Sequence, residues 1–470
     1  MDRLTRSELA LLAMDSARHP AQVGAVHVFD GDDRFDHEHL VALVQDRISY
    51  VPRYRQRVLT VPGGLASPVW VDDVRFDLSF HVRRSALPRP GTPQQLQEFV
   101  GRVMSRRLDR SRPLWELYLV EGLADNRCAL LAKTHLALVD GVDTVDLVQV
   151  LLEEEANAPV GTPPPWSPAP EPSPVEVLLA AAYSGVQDPT RILGAAQRGI
   201  TTVLGAAVAV GEATGGVGAA LGDLASAALV GTAPASASPF LGAASEQRRY
   251  AGVHASLPEL RSVRDRLGHT INDVVLAVIA GGLRAWLQTR GERVDSVQAL
   301  VPMSVVDDAD EPSSLGCRVE PHLVTLPVGE PAPVMRVHQI AINTQAHKDT
   351  GKAVDARTLS ELAGFAPATL HALGVRAGHE TVRRRHDLVI TNVPGPQQPV
   401  HLGSVPLVSS QPVIPLAPGH LLAIGVTSYH GGLTFGLAGD RDAVDDLDVL
   451  AGCLSEAVEE LVDAAHKEDR

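Results

Sequence analysis

The residues best placed to do chemistry lie in Lys133-Thr134-His135-Leu136-Ala137-Leu138-Val139-Asp140-Gly141. A titratable ring at the end of a buried strand, just before a tight Asp-Gly turn, can take a proton from an acceptor and so act as a general base. Here one histidine, His135, is followed by an apolar residue. Side chains alternate across a strand, so His135 and Leu136 are expected to face opposite ways. Whichever of the two faces the substrate decides whether a base is present. The plain reading of His135 is a ring that hydrogen-bonds a neighbouring strand or loop, and that of Leu136 is a core leucine.

The elements that must position this segment alternate in type. Cys128 to Leu136 reads as a strand, and a helix is expected from about Asp143 or Thr144, with Val145, Val148, Leu151 and Leu152 as its buried stripe. Upstream, Val23–Phe29 is a strand. Asp36–Ile48 is a helix capped by Asp36. Trp70–Val82 alternates like a strand, Leu96–Leu108 is a helix, and Leu114–Val120 is a strand. Pro159–Pro174 holds eight prolines, a linker composition, and Val175 to about Gly242 is an Ala/Gly/Val-rich connector. Beyond it, Leu257–Leu267 and Asn272–Arg290 read as helices, with Asn272 as a cap. Strands are expected at Ser296–Val301, Arg318–Leu326, Leu388–Asn392 and Leu421–Tyr429, and a last strand follows Gly431-Gly432. Val444–Val462 closes as a helix. The expected organisation is a mixed α/β lobe over 1–158, a linker and connector over 159–249, and a second lobe over 250–470.

The 470 residues carry 41 basic and 56 acidic side chains, a net charge of −15, which argues against nucleic acid or an anionic membrane as the main partner. Cys128, Cys317 and Cys453 are far apart and lack metal-ligand spacing, so a reduced, cytoplasmic setting is expected. No stretch reaches membrane-spanning length without interruption, which leaves peripheral lipid contact open. The run Asp307-Asp308-Ala309-Asp310-Glu311 lacks the ligand spacing and central glycine of a calcium loop and reads as solvated. No metal and no bound cofactor are expected.

Ordered pieces along nearly the whole chain resemble the bacterial wax ester synthase/diacylglycerol acyltransferase family. They include Trp70, Phe76-Asp77-Leu78, His81-Val82-Arg83 and the run Leu108-Asp109-Arg110-Ser111-Arg112-Pro113-Leu114-Trp115-Glu116. Asn272-Asp273-Val274-Val275, Val301-Pro302-Met303-Ser304, Thr391-Asn392-Val393-Pro394-Gly395-Pro396 and Ser428-Tyr429 follow in the family's order. The resemblance implies two lobes like those of chloramphenicol acetyltransferase and condensation domains, with a tunnel at their interface. The superfamily hallmark is His-His-x-x-x-Asp-Gly, whose second histidine is the base. Anchored on Asp140-Gly141, the first histidine falls on His135 and the second on Leu136, so the catalytic position is vacant and Leu136 is expected as an apolar wall. Asp140 is carried over as a loop-fixing acid and Gly141 as the turn residue. Thr391 stands where the family has serine.

The catalytic candidates are therefore His135 and Asp140, with Leu136 and Gly141 completing the motif. The substrate-binding candidates are Leu136, Asn272, Thr391, Asn392, Pro394 and Gly395. His322, His401, His420 and His430 are weaker sources of a replacement base. The expected activity is acyl transfer from a CoA or acyl-carrier-protein thioester to a hydrophobic small-molecule acceptor. The alternatives are cyclisation or elimination of a long substrate, and a non-catalytic binder of acyl chains.

Overall fold

The computed structural model describes residues 2–31, 35–60, 67–139, 146–156, 165–173, 175–177, 238–306, 317–348, 371–372, 375 and 386–467. The first half contributes β1 (Asp2–Arg3), α1 (Arg6–Met14), β2 (Gln22–Asp30), α2 (His37–Arg47), β3 (Gln56–Leu59), β4 (Val69–Asp72), α3 (Leu78–His81), β5 (Val82–Ala86), α4 (Pro93–Ser105), β6 (Trp115–Leu123), β7 (Arg127–His135), α5 (Leu147–Leu151) and β8 (Leu152–Glu153). The second contributes β9 (Arg248–Ser256), α6 (Leu257–Leu267), α7 (Ile271–Thr289), β10 (Val297–Val306), β11 (Cys317–Leu326), α8 (Pro333–Lys348), β12 (Leu388–Val393), β13 (His401–Leu402), β14 (Val405–Val413), β15 (Leu422–Tyr429), β16 (Gly432–Asp440) and α9 (Leu447–Lys467).

Local chemistry explains the helix starts. Asp36 accepts from the amides of Glu38 and His39, and Thr92 forms a capping box with Gln95. α7 is apolar on nearly every side, from Val274 to Leu287, and such a helix must be buried all round. It is long and apolar enough to cross a membrane, yet it forms the centre of the second core with Leu260, Val337, Ile390, Ile424 and Leu454.

Three sheets result, an antiparallel one ordered β1-β4-β3 and two mixed ones ordered β11-β10-β12-β15-β16-β9 and β5-β6-β7-β2-β14-β13-β8. The strand bearing His135 is thus central, held between β6 and β2, with Gln22 opposite His135. Strands β13 and β14 come from the second half but complete the first sheet, where Gln411 pairs with Val26 and Val413 with Gly24. The division near residue 250 therefore does not separate two closed sheets: residues 401–413 return to the N-terminal lobe.

Several expectations need correction. Trp70–Val82 is a short strand, a loop and one helical turn rather than a strand, because Asp77 caps Leu78–His81 by accepting from Ser79. β7 stops at His135, and Leu136–Leu138 is a 3₁₀ turn. The cap of α7 is Thr270, which forms a capping box with Asp273, so Asn272 lies inside the first turn. The strand β14 escapes sequence reading because Pro406, Pro412 and a register shift between Leu407 and Ser409 interrupt its pattern. Asp140, Gly141, the expected helix start at 143–144, most of the 175–242 connector and the 307–311 acidic run lie outside the described residues.

Candidate active site

His135 is 2% exposed and occupies the cap position of the turn that follows β7. Its Nδ1 accepts the Ala137 amide at 3.0 Å, so the ring's basic lone pair is already engaged. A neutral ring then carries its proton on Nε2, which faces Asp15 Oδ2 at 3.9 Å, an ion-pair distance beyond hydrogen-bond reach. Asp15 in turn accepts from Arg107 and Arg110, each at 2.8 Å, and from the Ala21 amide at 3.0 Å. Burial would raise the Asp15 pKa, but His135, Arg107, the Ala21 amide and Arg110 outweigh it and hold the carboxyl well below the usual range. Burial pushes the His135 pKa down, opposed by Asp15. Both ring nitrogens thus face the protein body. As a catalytic candidate His135 is corrected to a positioning residue: it ties the turn to α1 and has no free lone pair to offer.

Leu136 points elsewhere. Its amide donates to Ala21 O at 2.9 Å, and its side chain is fully buried among Leu11, Ala21 and Val23 of the first half and Ala372, Val375, Ile414, Leu416 and Ala423 of the second. That cluster is the seam between the lobes. Small voids of about 20 Å³ and 10 Å³ lie at this seam beside Ile414, Leu416 and Pro20. A larger cleft of about 300 Å³ opens elsewhere, between Tyr50, Tyr54, Gln56 and Leu138. Beside it Tyr54 donates to the buried Asp146, whose pKa burial raises. Asp146 also caps α5 through the Val148 amide, which gives it a structural task.

The second-half candidates do not form one group. On β12, Leu388 and Ile390 face the α7 core, and alternation puts Asn392 on that same side. There Asn392 Nδ2 donates to Asn272 Oδ1 at 3.0 Å. Thr391 faces the other way, paired in register with Gly425, while the neighbouring pair Val389 and Ala423 brings Ala423 into the Leu136 cluster. Of Asn272, Thr391 and Asn392, alternation therefore turns only Thr391 toward the seam. Gly395 is a packing residue: a Cβ there would lie 2.1 Å from Ser428 O, and its amide donates to Ser428 Oγ at 3.2 Å. Pro394 precedes this close approach and is half-buried.

A residue that the sequence reading passed over stands beside Thr391. His371 is 1% exposed, its Nδ1 lies 2.6 Å from Thr391 Oγ1, and its Nε2 has no hydrogen-bond partner among the described residues. Nothing in the sequence around it marks it, since its partner is twenty positions away. Of the four histidines named earlier, His420 meets the carbonyls of Pro418 and His386, exposed His430 meets Gln397 O, and His401 has a buried Nδ1 without a hydrogen-bond partner among the described residues. His401 sits in β13, and His322 pairs with Val301 across β10 and β11.

The Arg112–Glu116 run is scaffold. Trp115 Nε1 donates to Tyr54 O at 2.7 Å, His81 stacks on the Trp115 ring at 4.5 Å, and Arg112 lies over Phe80 at 3.9 Å. Among the described residues no group of three or more His, Cys, Asp or Glu side chains could hold a metal.

Comparison with known proteins shows the family. Residues 4–275 match the wax ester synthase/diacylglycerol acyltransferase catalytic domain, and residues 315–462 match the WS/DGAT C-terminal domain. The probable diacylglycerol O-acyltransferase tgs1 of Mycobacterium tuberculosis is 33% identical over 98% of this chain and 96% of its own length. The probable diacylglycerol O-acyltransferase tgs2 of the same organism is 32% identical over 99% of both chains. Among solved structures, a wax ester synthase/diacylglycerol acyltransferase from Marinobacter aquaeolei superposes with a TM-score of 0.66 at 25% identity, over 99% of this chain and 100% of that one. The starter condensation domain of rhizomide synthetase shares the fold at a TM-score of 0.54 and 12% identity, over 99% of this chain and 94% of that one. On both its domains and across nearly its full length, this chain belongs to the wax ester synthase/diacylglycerol acyltransferase family.

Proposed function

We propose that this protein transfers an acyl group from an acyl thioester, with CoA the favoured carrier, to the hydroxyl of a lipid acceptor such as a diacylglycerol or a long-chain alcohol. The observation that carries this reading is the Leu136 side chain buried at the lobe seam, the position of the superfamily base, inside a chain matched to the family over both domains. Positioning two reactants can be worth more than the roughly 10² to 10⁴ that a general base supplies, so an aliphatic residue at 136 slows transfer without ending it. His135 holds the motif's turn, and Asp140 is proposed to hold the same loop.

The test measures thioester consumption and ester formation with long-chain acyl-CoA and a panel of diacylglycerols, alcohols, amines and thiols. We expect slow consumption that depends on an acceptor, and a rise of about tenfold or more for alcohols in Leu136→His. No acceptor-dependent consumption with any class would overturn the reading.

A second reading follows from how closely the seam is packed around Leu136: the protein binds acyl chains without turning them over. Acyl-CoA would then raise the melting temperature while no product accumulates.

A further inference from the structure

We propose that His371, oriented by Thr391, is the base of the acyl-transfer reaction, taking over from the C-terminal side of the seam the role that Leu136 cannot perform. The inference rests on the acyl-transfer reading above.

Three placements support it. Ala372 and Val375, which follow His371 by one and four positions, pack in the same cluster as Leu136, Ile414 and Ala423, so His371 is adjacent in the chain to residues that border Leu136. Thr391 lies on the seam-facing side of β12, with Gly425 beside it in register and Pro412 and Ile414 packed over that glycine. Finally, the ring is polarised. Nδ1 lies 2.6 Å from Thr391 Oγ1, and in the tautomer the proposal requires Nδ1–H donates to the hydroxyl and the lone pair sits on Nε2, the atom with no partner among the described residues. An orphaned nitrogen this deeply buried costs about 1–3 kcal/mol unless a group arrives to meet it. An acceptor hydroxyl is such a group.

Burial holds the His371 pKa down to about 3, so the ring is neutral at neutral pH and its weakened basicity must be offset by charge that develops during the reaction. As the acceptor oxygen bonds to the thioester carbonyl carbon, Nε2 takes the hydroxyl proton. The negative charge developing on the carbonyl oxygen stabilises the imidazolium that forms. When the tetrahedral intermediate collapses, the C–S bond breaks and the imidazolium returns its proton to the leaving thiolate. Thioester and alcohol become ester and thiol, with the ring restored. Thr391 acts through His371 and is a positioning residue.

The experiment compares the full-length wild type with His371→Asn, Thr391→Val and Thr391→Ser, using acyl-CoA and whichever acceptor the wild type accepts, with melting curves for each. Asparagine can still donate to Thr391 but offers no basic nitrogen. We expect His371→Asn to lower kcat by about 100-fold or more with KM little changed. Thr391→Val should lower kcat less, and Thr391→Ser should regain most of that loss. A folded His371→Asn with wild-type kcat would overturn the proposal. If that variant does not fold, equal kcat in Thr391→Val and the wild type would overturn it. Wild-type protein inert toward every acceptor would instead overturn the acyl-transfer reading, a result visible before any variant is made.

Discussion

The two sides of the β7 terminus are built on opposite principles. On the His135 side, Asp15, Arg107, Arg110 and the Ala21 and Ala137 amides form a charged network around a ring whose Nδ1 is engaged and whose Nε2, without a hydrogen-bond partner among the described residues, lies 3.9 Å from the Asp15 carboxylate. On the Leu136 side the neighbours are aliphatic, and the nearby polar ring, His371, keeps one nitrogen unmatched. A charged network of this kind fixes a turn in one geometry, whereas an aliphatic wall beside an open ring nitrogen suits a reactant. One residue step along the chain separates structure-holding chemistry from candidate reaction chemistry.

Three perturbations would sharpen or break this contrast. The largest effect is expected at Leu136, where truncation to alanine leaves a cavity and costs about 3 kcal/mol by urea unfolding, with acyl-CoA restoring part of the loss if the space admits an acyl chain. A cost near zero would mean that the seam is not packed as a core.

Asp15→Asn should cost about 2 kcal/mol, because it removes the charge shared by Arg107 and Arg110, whose own partial exposure softens the loss. The folded-state pKa of Asp15 is depressed, so its contribution is present in full above the unfolded carboxyl pKa of about 4 and fades as pH falls below it. Acid unfolding of Asp15→Asn should therefore be flatter than that of the wild type below about pH 4. Parallel curves would remove the network from the account.

The smallest effect at neutral pH concerns His371, and it grows in acid. Its folded pKa of about 3 lies below the unfolded value of about 6.5, so the unfolded chain binds the extra proton and stability falls as pH drops from 6.5 toward 3, by up to about 1.4 kcal/mol per pH unit. His371→Asn should lose that slope. An unchanged slope would show that the ring is not held neutral.

Much of the scaffold was legible from local pattern. The helix Leu257–Leu267 and the Asp36 cap follow from periodicity and capping chemistry, signals carried by residues within a few positions of one another. The site was legible only in part. Alternation anticipates that His135 and Leu136 diverge, but it does not reveal that Ala137 consumes the His135 lone pair. The substrate-binding candidates do not share one face for the same kind of reason, since Thr391 and Asn392 are chain neighbours that the strand turns to opposite sides.

By itself, then, the sequence determined family, element types and the aliphatic residue at 136, because motif order, periodicity and residue identity are properties of the chain. Only the tertiary structure decided that β14 returns to the first sheet, that Asp15 stands behind His135, and that His371 meets Thr391 at the seam. Those contacts join residues far apart along the chain or on separate elements. The packing of whole lobes sets them, and no local pattern encodes it.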